Sequence, residues 1–233
     1  MRRRSFLRLC SAAAAAAAAG PLLADGAAFV PRARARLVGA DGSPLRAGAL
    51  ALDEPYLFHY PFRSTPCLLL RLGRPVRGPV SLHTAEGRAF RWAGGVGPGG
   101  AVVAFSAICT HLMTHPRRDG TFIAFHRRPT EVAGRPYMIT CCAHGSVFDP
   151  HEGARVVTGP ATQPLTAIIL EHDPATDALT AVGTAGADLY REFLRTFRRE
   201  LRAEFGRSAY RARVEGEARV QRLAEYAGRI FSC

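Results

Sequence analysis

The sequence predicts a mainly β protein, a small antiparallel sandwich or barrel followed by a C-terminal helical extension. Two observations carry this expectation. Between about residues 48 and 184 the apolar residues fall in short runs, broken by Pro and Gly, with no long helical period among them. At Ala187 the pattern changes to apolar residues at four-residue steps.

The chain has 233 residues, 48% of them hydrophobic, which is enough for a core domain with appendages. Its formal net charge is +12, yet every basic residue is Arg and there is no Lys. An Ala-, Gly-, Arg- and Pro-rich composition of this kind reflects a GC-rich genome more than a selected basic surface. No recognition element accompanies the charge, so no nucleic-acid partner is expected.

Residues 1–24 read as an address. They hold a basic start, an apolar stretch from Leu9 to Ala24, and small residues before a cleavage point after Ala24. "RRSFLR", residues 3–8, resembles the twin-arginine export signal, whose route carries folded proteins and implies a periplasmic location. Retention as a membrane anchor is the alternative. Leu9–Ala24 is interrupted by Gly20–Pro21 and falls short of the roughly 20 apolar residues that a span needs.

Residues 25–47 read as a linker, with an edge strand as the alternative. "YLFHYPF" (56–62) and "PCLLLRLG" (66–73) read as strands. "VSLHTAEGRAFRW" reads as a hairpin about Glu86–Gly87. "AVVAFSAI" (101–108) is a further strand, leading directly into Cys109. After Ala154 come two or three strands with a turn at Asp173–Asp177. The domain then spans 48–186 and the helical extension 187–233. In the extension, Leu189, Phe193, Phe197, Leu201 and Phe205 form one helix face, with Asp188 near its start and Gly206 at its end. That stripe is expected to pack on the protein's own sheet. A second helix is expected at about Ala218–Ile230.

The chemistry lies in two short stretches. "ICTHLMTHP" (108–116) places Cys109 two residues from His111, and "TCCAHGSVFDP" (140–150) places Cys141 three from His144. A structural zinc finger pairs Cys with Cys and His with His. Here each pair mixes one thiolate with one imidazole. That composition suits a binuclear site in which one iron takes both sulfurs and its neighbour both nitrogens. A mononuclear zinc or iron site is the plainer alternative.

"CTHL" at 109–112 and "CxxHGSxFD" at 141–149 resemble the two boxes of the Rieske [2Fe–2S] proteins, and the resemblance runs over roughly Leu52–Gly186. It implies a Rieske-like antiparallel β-sandwich with cluster-binding loops and one [2Fe–2S] cluster per chain. Cys109 and Cys141 would bind one iron, and His111 and His144 the other. Ser146 would direct its hydroxyl toward a cluster sulfur, and Gly159–Pro160 would form a covering loop. The implied function is one-electron transfer, as a subunit or shuttle of a respiratory redox system. Its partners would be a c-type cytochrome and a quinol-linked or molybdenum enzyme. An iron–sulfur subunit of a cytochrome bc-type quinol-oxidising complex is the alternative. An oxygenase component is less favoured, because only His151 and His172 follow His144 as candidate ligands for a mononuclear iron.

The departures from the family pattern matter. Thr114 and Ala143 occupy the positions of the two cysteines that brace the loops in bc-type members. Phe148 occupies the position of a Tyr that donates a hydrogen bond to a ligand sulfur. One donor fewer predicts a potential below that of the high-potential quinol-oxidising members, within the roughly −150 to +300 mV span of such centres. Cys67 is expected to be a buried free thiol. Cys142 and Cys233 are expected to stay free, with a Cys142–Cys233 disulfide as the alternative. His115 is expected on a surface loop, and His59, His83, His126, His151 and His172 are expected to be structural or solvated. Arg117, Arg118, Arg127 and Arg128 could steer an acidic partner.

Overall fold

The computed structural model describes residues 29–233. The export-signal reading, the alternative anchor, Cys10 and residues 25–28 of the expected linker lie outside the described residues. Among those described, no helix is long and apolar enough to cross a membrane.

The strands are β1 (Phe29–Val38), β2 (Tyr56–His59), β3 (Pro66–Arg71), β4 (Val80–His83), β5 (Ala89–Trp92), β6 (Val102–Ser106) and β7 (Ile123–His126). They continue with β8 (Met138–Cys141), β9 (Ser146–Asp149), β10 (Arg155–Thr158), β11 (Ala167–Asp173), β12 (Ala178–Ala185), β13 (Gly216–Arg219) and β14 (Gln221–Arg222). Helices α1 (Tyr190–Thr196), α2 (Arg198–Phe205) and the single turn α3 (Leu223–Tyr226) all lie in the last fifth of the chain. The mainly β architecture expected from the short apolar runs is present.

One sheet has eight strands in the order β13-β1-β12-β11-β6-β3-β2-β14. Its two edge strands are separated in the chain only by Val220, so the sheet curls until its edges approach. The period-2 alternation of strand side chains then sorts residues between two cores. In β3, Cys67 and Leu69 face the enclosed core with Leu37, Phe58, Ala104 and Leu179. Leu68 and Leu70 face the other way, toward a core shared with the four-stranded sheet β10-β9-β8-β7 and the β4–β5 hairpin. Trp92, Phe105, Phe125 and Phe148 lie in this second core. Each such buried ring contributes about 1.5–3 kcal/mol.

Two boundaries differ from expectation. Residues 29–38 are no linker: β1 lies inside the large sheet, antiparallel to β12 and parallel to β13. Its alternation is carried by Ala35 and Leu37 inward and Arg34 and Arg36 outward. The segment expected as a helix at 218–230 instead forms β13, β14 and the one-turn α3. Pairing of Leu37 with Ala218 and of Leu57 with Gln221 overrides its helical spacing. The helical stripe at 189–205 ends at Gly206 as expected, but it is two helices broken at Phe197.

Candidate metal centre

The first box leaves β6 and turns at once. The Cys109 carbonyl accepts the Met113 N–H at 2.8 Å, and the Cys109 N–H donates to the Thr114 carbonyl at 2.9 Å. These bonds close a compact loop, with Met113 in the left-handed region at φ 56°. Backbone N–H groups of His111 and Leu112 point at the Cys109 sulfur.

The second box is the tip of the β8–β9 hairpin, where Cys141 pairs with Ser146. The Cys141 carbonyl accepts N–H bonds from His144 at 3.3 Å and Gly145 at 2.9 Å. Gly145 takes φ 77°, which a side chain would resist. The Ser146 hydroxyl accepts the Ala161 N–H at 3.2 Å and reaches the Cys109 sulfur as donor. Gly159 is pressed against this tip, and a Cβ there would stand 2.3 Å from the Gly145 carbonyl oxygen. Ser146 and the Gly159–Pro160 loop are therefore gathered at the two boxes.

The loops converge as a sulfur pair and a nitrogen pair. Cys109 and Cys141 are 1% and 0% exposed and lie against each other. The neighbouring Cys141 thiol, with the Ser146 hydroxyl and backbone N–H groups, holds the Cys109 thiol down. The Cys141 thiol is pushed up by the Cys109 sulfur and by burial. The His111 and His144 rings meet edge to face, centroids 4.9 Å apart. His111 Nδ1 is buried without a hydrogen-bond partner. A buried imidazole nitrogen left unpaired is costly unless something binds it. Two adjacent buried thiols, one orphaned ring nitrogen and a second imidazole at the rim fit a [2Fe–2S] group, which Cys109 and Cys141 would hold through sulfur and His111 and His144 through nitrogen.

His144 is exposed, and a cleft of about 600 Å³ opens beside it, lined among others by Leu112, His115, Phe122 and Phe231. Leu112 is 56% exposed at this rim. His115 is not on a loop surface as expected. Its ring packs edge-on against Phe193 at 4.8 Å and Phe197 at 4.7 Å, so the helical stripe buttresses the first box. Ile108 belongs to the same cluster, with Met113 against it. Arg117 pairs with Asp119 and Glu200, and Arg118 with Glu204, which spends much of their charge.

Cys67 is a buried free thiol bonded to the Tyr60 carbonyl, and burial pushes it up. Cys142 and Cys233, expected to remain free, form a disulfide with Cα atoms 5.5 Å apart. Strand-like bonding of the final residues to Thr121 brings Cys233 to the second box, an arrangement with no sequence signal except the cysteine itself. Thr114 and Phe231 were also missed as site residues. The Thr114 hydroxyl reaches Cys141, and the Phe231 ring walls the cleft. His151 and His172 pair with Asp149 and Asp177.

Residues 88–169 match the family model described as the Rieske [2Fe-2S] domain. The chain therefore carries a Rieske domain, and its cofactor is one [2Fe–2S] cluster. Among curated proteins it is similar to the iodate reductase subunit IdrB of Denitromonas iodatirespirans, 34% identical over 137 residues, covering 59% of this chain and 58% of the relative. It is likewise similar to IdrB of Pseudomonas sp. (strain SCT), 33% identical over 138 residues, covering 59% and 57%. The chain thus matches under two thirds of the length of these relatives. Among solved structures it resembles the soluble domain of the Rieske protein II (soxF) from Sulfolobus acidocaldarius, at 24% identity and a TM-score of 0.45, covering 70% of this chain and 85% of that one.

Proposed function

We propose that this chain is a one-electron carrier and works as a subunit of a respiratory oxidoreductase. Cys109 and Cys141 ligate one iron and His111 and His144 the other. The observation that carries the reading is a buried sulfur pair beside an imidazole pair whose outer member, His144, reaches solvent. The bound cluster supplies a site that accepts and gives up a single electron. The residues do the rest. Cys109 and Cys141 exclude water from the inner side, and Ser146 and the loop N–H groups offset negative charge on sulfur. His144 offers the short path to a partner.

Similarity to subunits of iodate reductase supports a catalytic redox subunit as that partner. A periplasmic location is supported by the "RRSFLR" segment and by the Cys142–Cys233 disulfide, which persists in oxidising compartments. Iron and acid-labile sulfide analysis, with EPR of the dithionite-reduced protein, tests the assignment. Two irons and two sulfides per chain are expected; zinc without sulfide would refute it. Loss of the EPR signal in Cys109→Ser and His144→Ala variants is expected as well.

A further inference from the structure

We propose that residues 228–233 are a strap that positions the second cluster loop, with Cys142–Cys233 as its lock and Phe231 as its contact with the cleft. The inference rests on the cluster assignment above.

The helical stripe holds the first box through His115. The second-box tip, Cys142–Gly145, is held by residues 228–233. The Gly228 N–H donates to the Arg118 carbonyl at 2.8 Å, and the Thr121 N–H to the Arg229 carbonyl at 2.8 Å. The Phe231 N–H donates to the Thr121 carbonyl at 3.0 Å, and the Val132 N–H to the Cys233 carbonyl at 3.3 Å. Ile230 thus forms an isolated parallel bridge with Thr121.

Next to it the Phe231 ring stacks flat on Phe122, centroids 4.2 Å apart and 3° from parallel. Gly120 leaves room for that ring, because a Cβ there would stand 2.9 Å from Phe231. Phe122 in turn accepts the Cys142 N–H on its carbonyl at 2.7 Å. The disulfide closes this path covalently, one residue beyond Cys141 and two before His144. Strap, Phe122 and second-box tip are therefore one bonded unit. Phe122, Phe231, Ala143 and His144 of this unit face Leu112 and His115 of the first box across the cleft. Thr114 and Ala143 offer no sulfur to join the boxes directly, so the lock acts from outside.

The test is the double variant Cys142→Ser/Cys233→Ser, which leaves no stray thiol beside Cys141. Two readouts are taken on the full chain: amide hydrogen exchange at His144–Ser146, and cluster bleaching by a chelator with the reduced-state EPR line shape. Faster exchange confined to the tip, a shifted line shape and bleaching accelerated on the order of tenfold are expected. Exchange, line shape and bleaching all as in the parent would overturn the strap. Phe231→Ala, which keeps both cysteines, answers the same question should the double variant fail to fold. In it the tip amides are also expected to exchange faster, and unchanged exchange would overturn the proposal. A parent protein with no [2Fe–2S] signal would sink the cluster assignment alone, because the exchange arm still decides the strap.

Discussion

The His115 imidazole lies edge-on to the Phe193 ring, 4.8 Å between centroids, and so docks the first cluster loop on helix α1. Phe193 is fully buried, so Phe193→Ala leaves a cavity beneath that loop. A destabilisation of about 3–5 kcal/mol is expected by chemical denaturation. Cluster loss is expected to precede unfolding of the large sheet, read as bleaching of the visible absorbance before the far-UV signal falls.

The reduction potential is expected to move in opposite directions with two hydroxyl changes. Ser146→Ala removes a donor from Cys109, and Phe148→Tyr supplies one where the family pattern has it. One hydrogen bond is worth about 1 kcal/mol, or roughly 40 mV for a one-electron couple. Voltammetry should find Ser146→Ala below the parent and Phe148→Tyr above it.

Gly159 takes φ 93° with its α-carbon against the Gly145 carbonyl. Gly159→Ala adds strain of about 1–3 kcal/mol and a direct clash. The covering loop should lift from the second box, so oxidation by a small soluble oxidant should speed up in stopped-flow measurements.

His59 packs edge-on between Phe205 at 5.3 Å and Tyr226 at 5.7 Å, with Nε2 unpaired. Burial, with Arg118 nearby, lowers its pKa from 6.5 to about 4. Arg118 is itself paired with Glu204, which also accepts the Tyr226 hydroxyl. The unfolded chain therefore takes up this proton first. The stability that His59 confers by staying neutral is full above pH 6.5, falls as the pH drops, and levels off below about 4. The loss amounts to about 3 kcal/mol. His59→Phe should flatten that part of a plot of urea midpoint against pH.

Both boxes were legible because cluster ligands must recur at fixed spacing, whatever surrounds them. The β4–β5 hairpin and the helix end at Gly206 were legible from local turn chemistry. What escaped depends on distant pairing. In β1 the inward positions begin with Ala35, too small to stand out against Arg34 and Arg36. Residues 218–230 carry Leu223, Tyr226, Ala227 and Ile230 at helical spacing, yet strands β1 and β2 capture the start of the segment. His115 looked solvated because Phe193 and Phe197, which bury it, lie some 80 residues away. The Cys142–Cys233 pairing stood only as an alternative for the same reason, since 91 residues separate the two cysteines.

Strands β13 and β14 seal both margins of the large sheet, although they come from beyond the segment that matches the Rieske family. A fragment trimmed to residues 88–169 would keep all four candidate ligands and forfeit β1 to β4, β12, β13, β14 and most of β11. Raw backbone margins of that kind invite stacking with further copies, so such a fragment should emerge as insoluble aggregate, and the family match is a poor guide to where this protein can be cut.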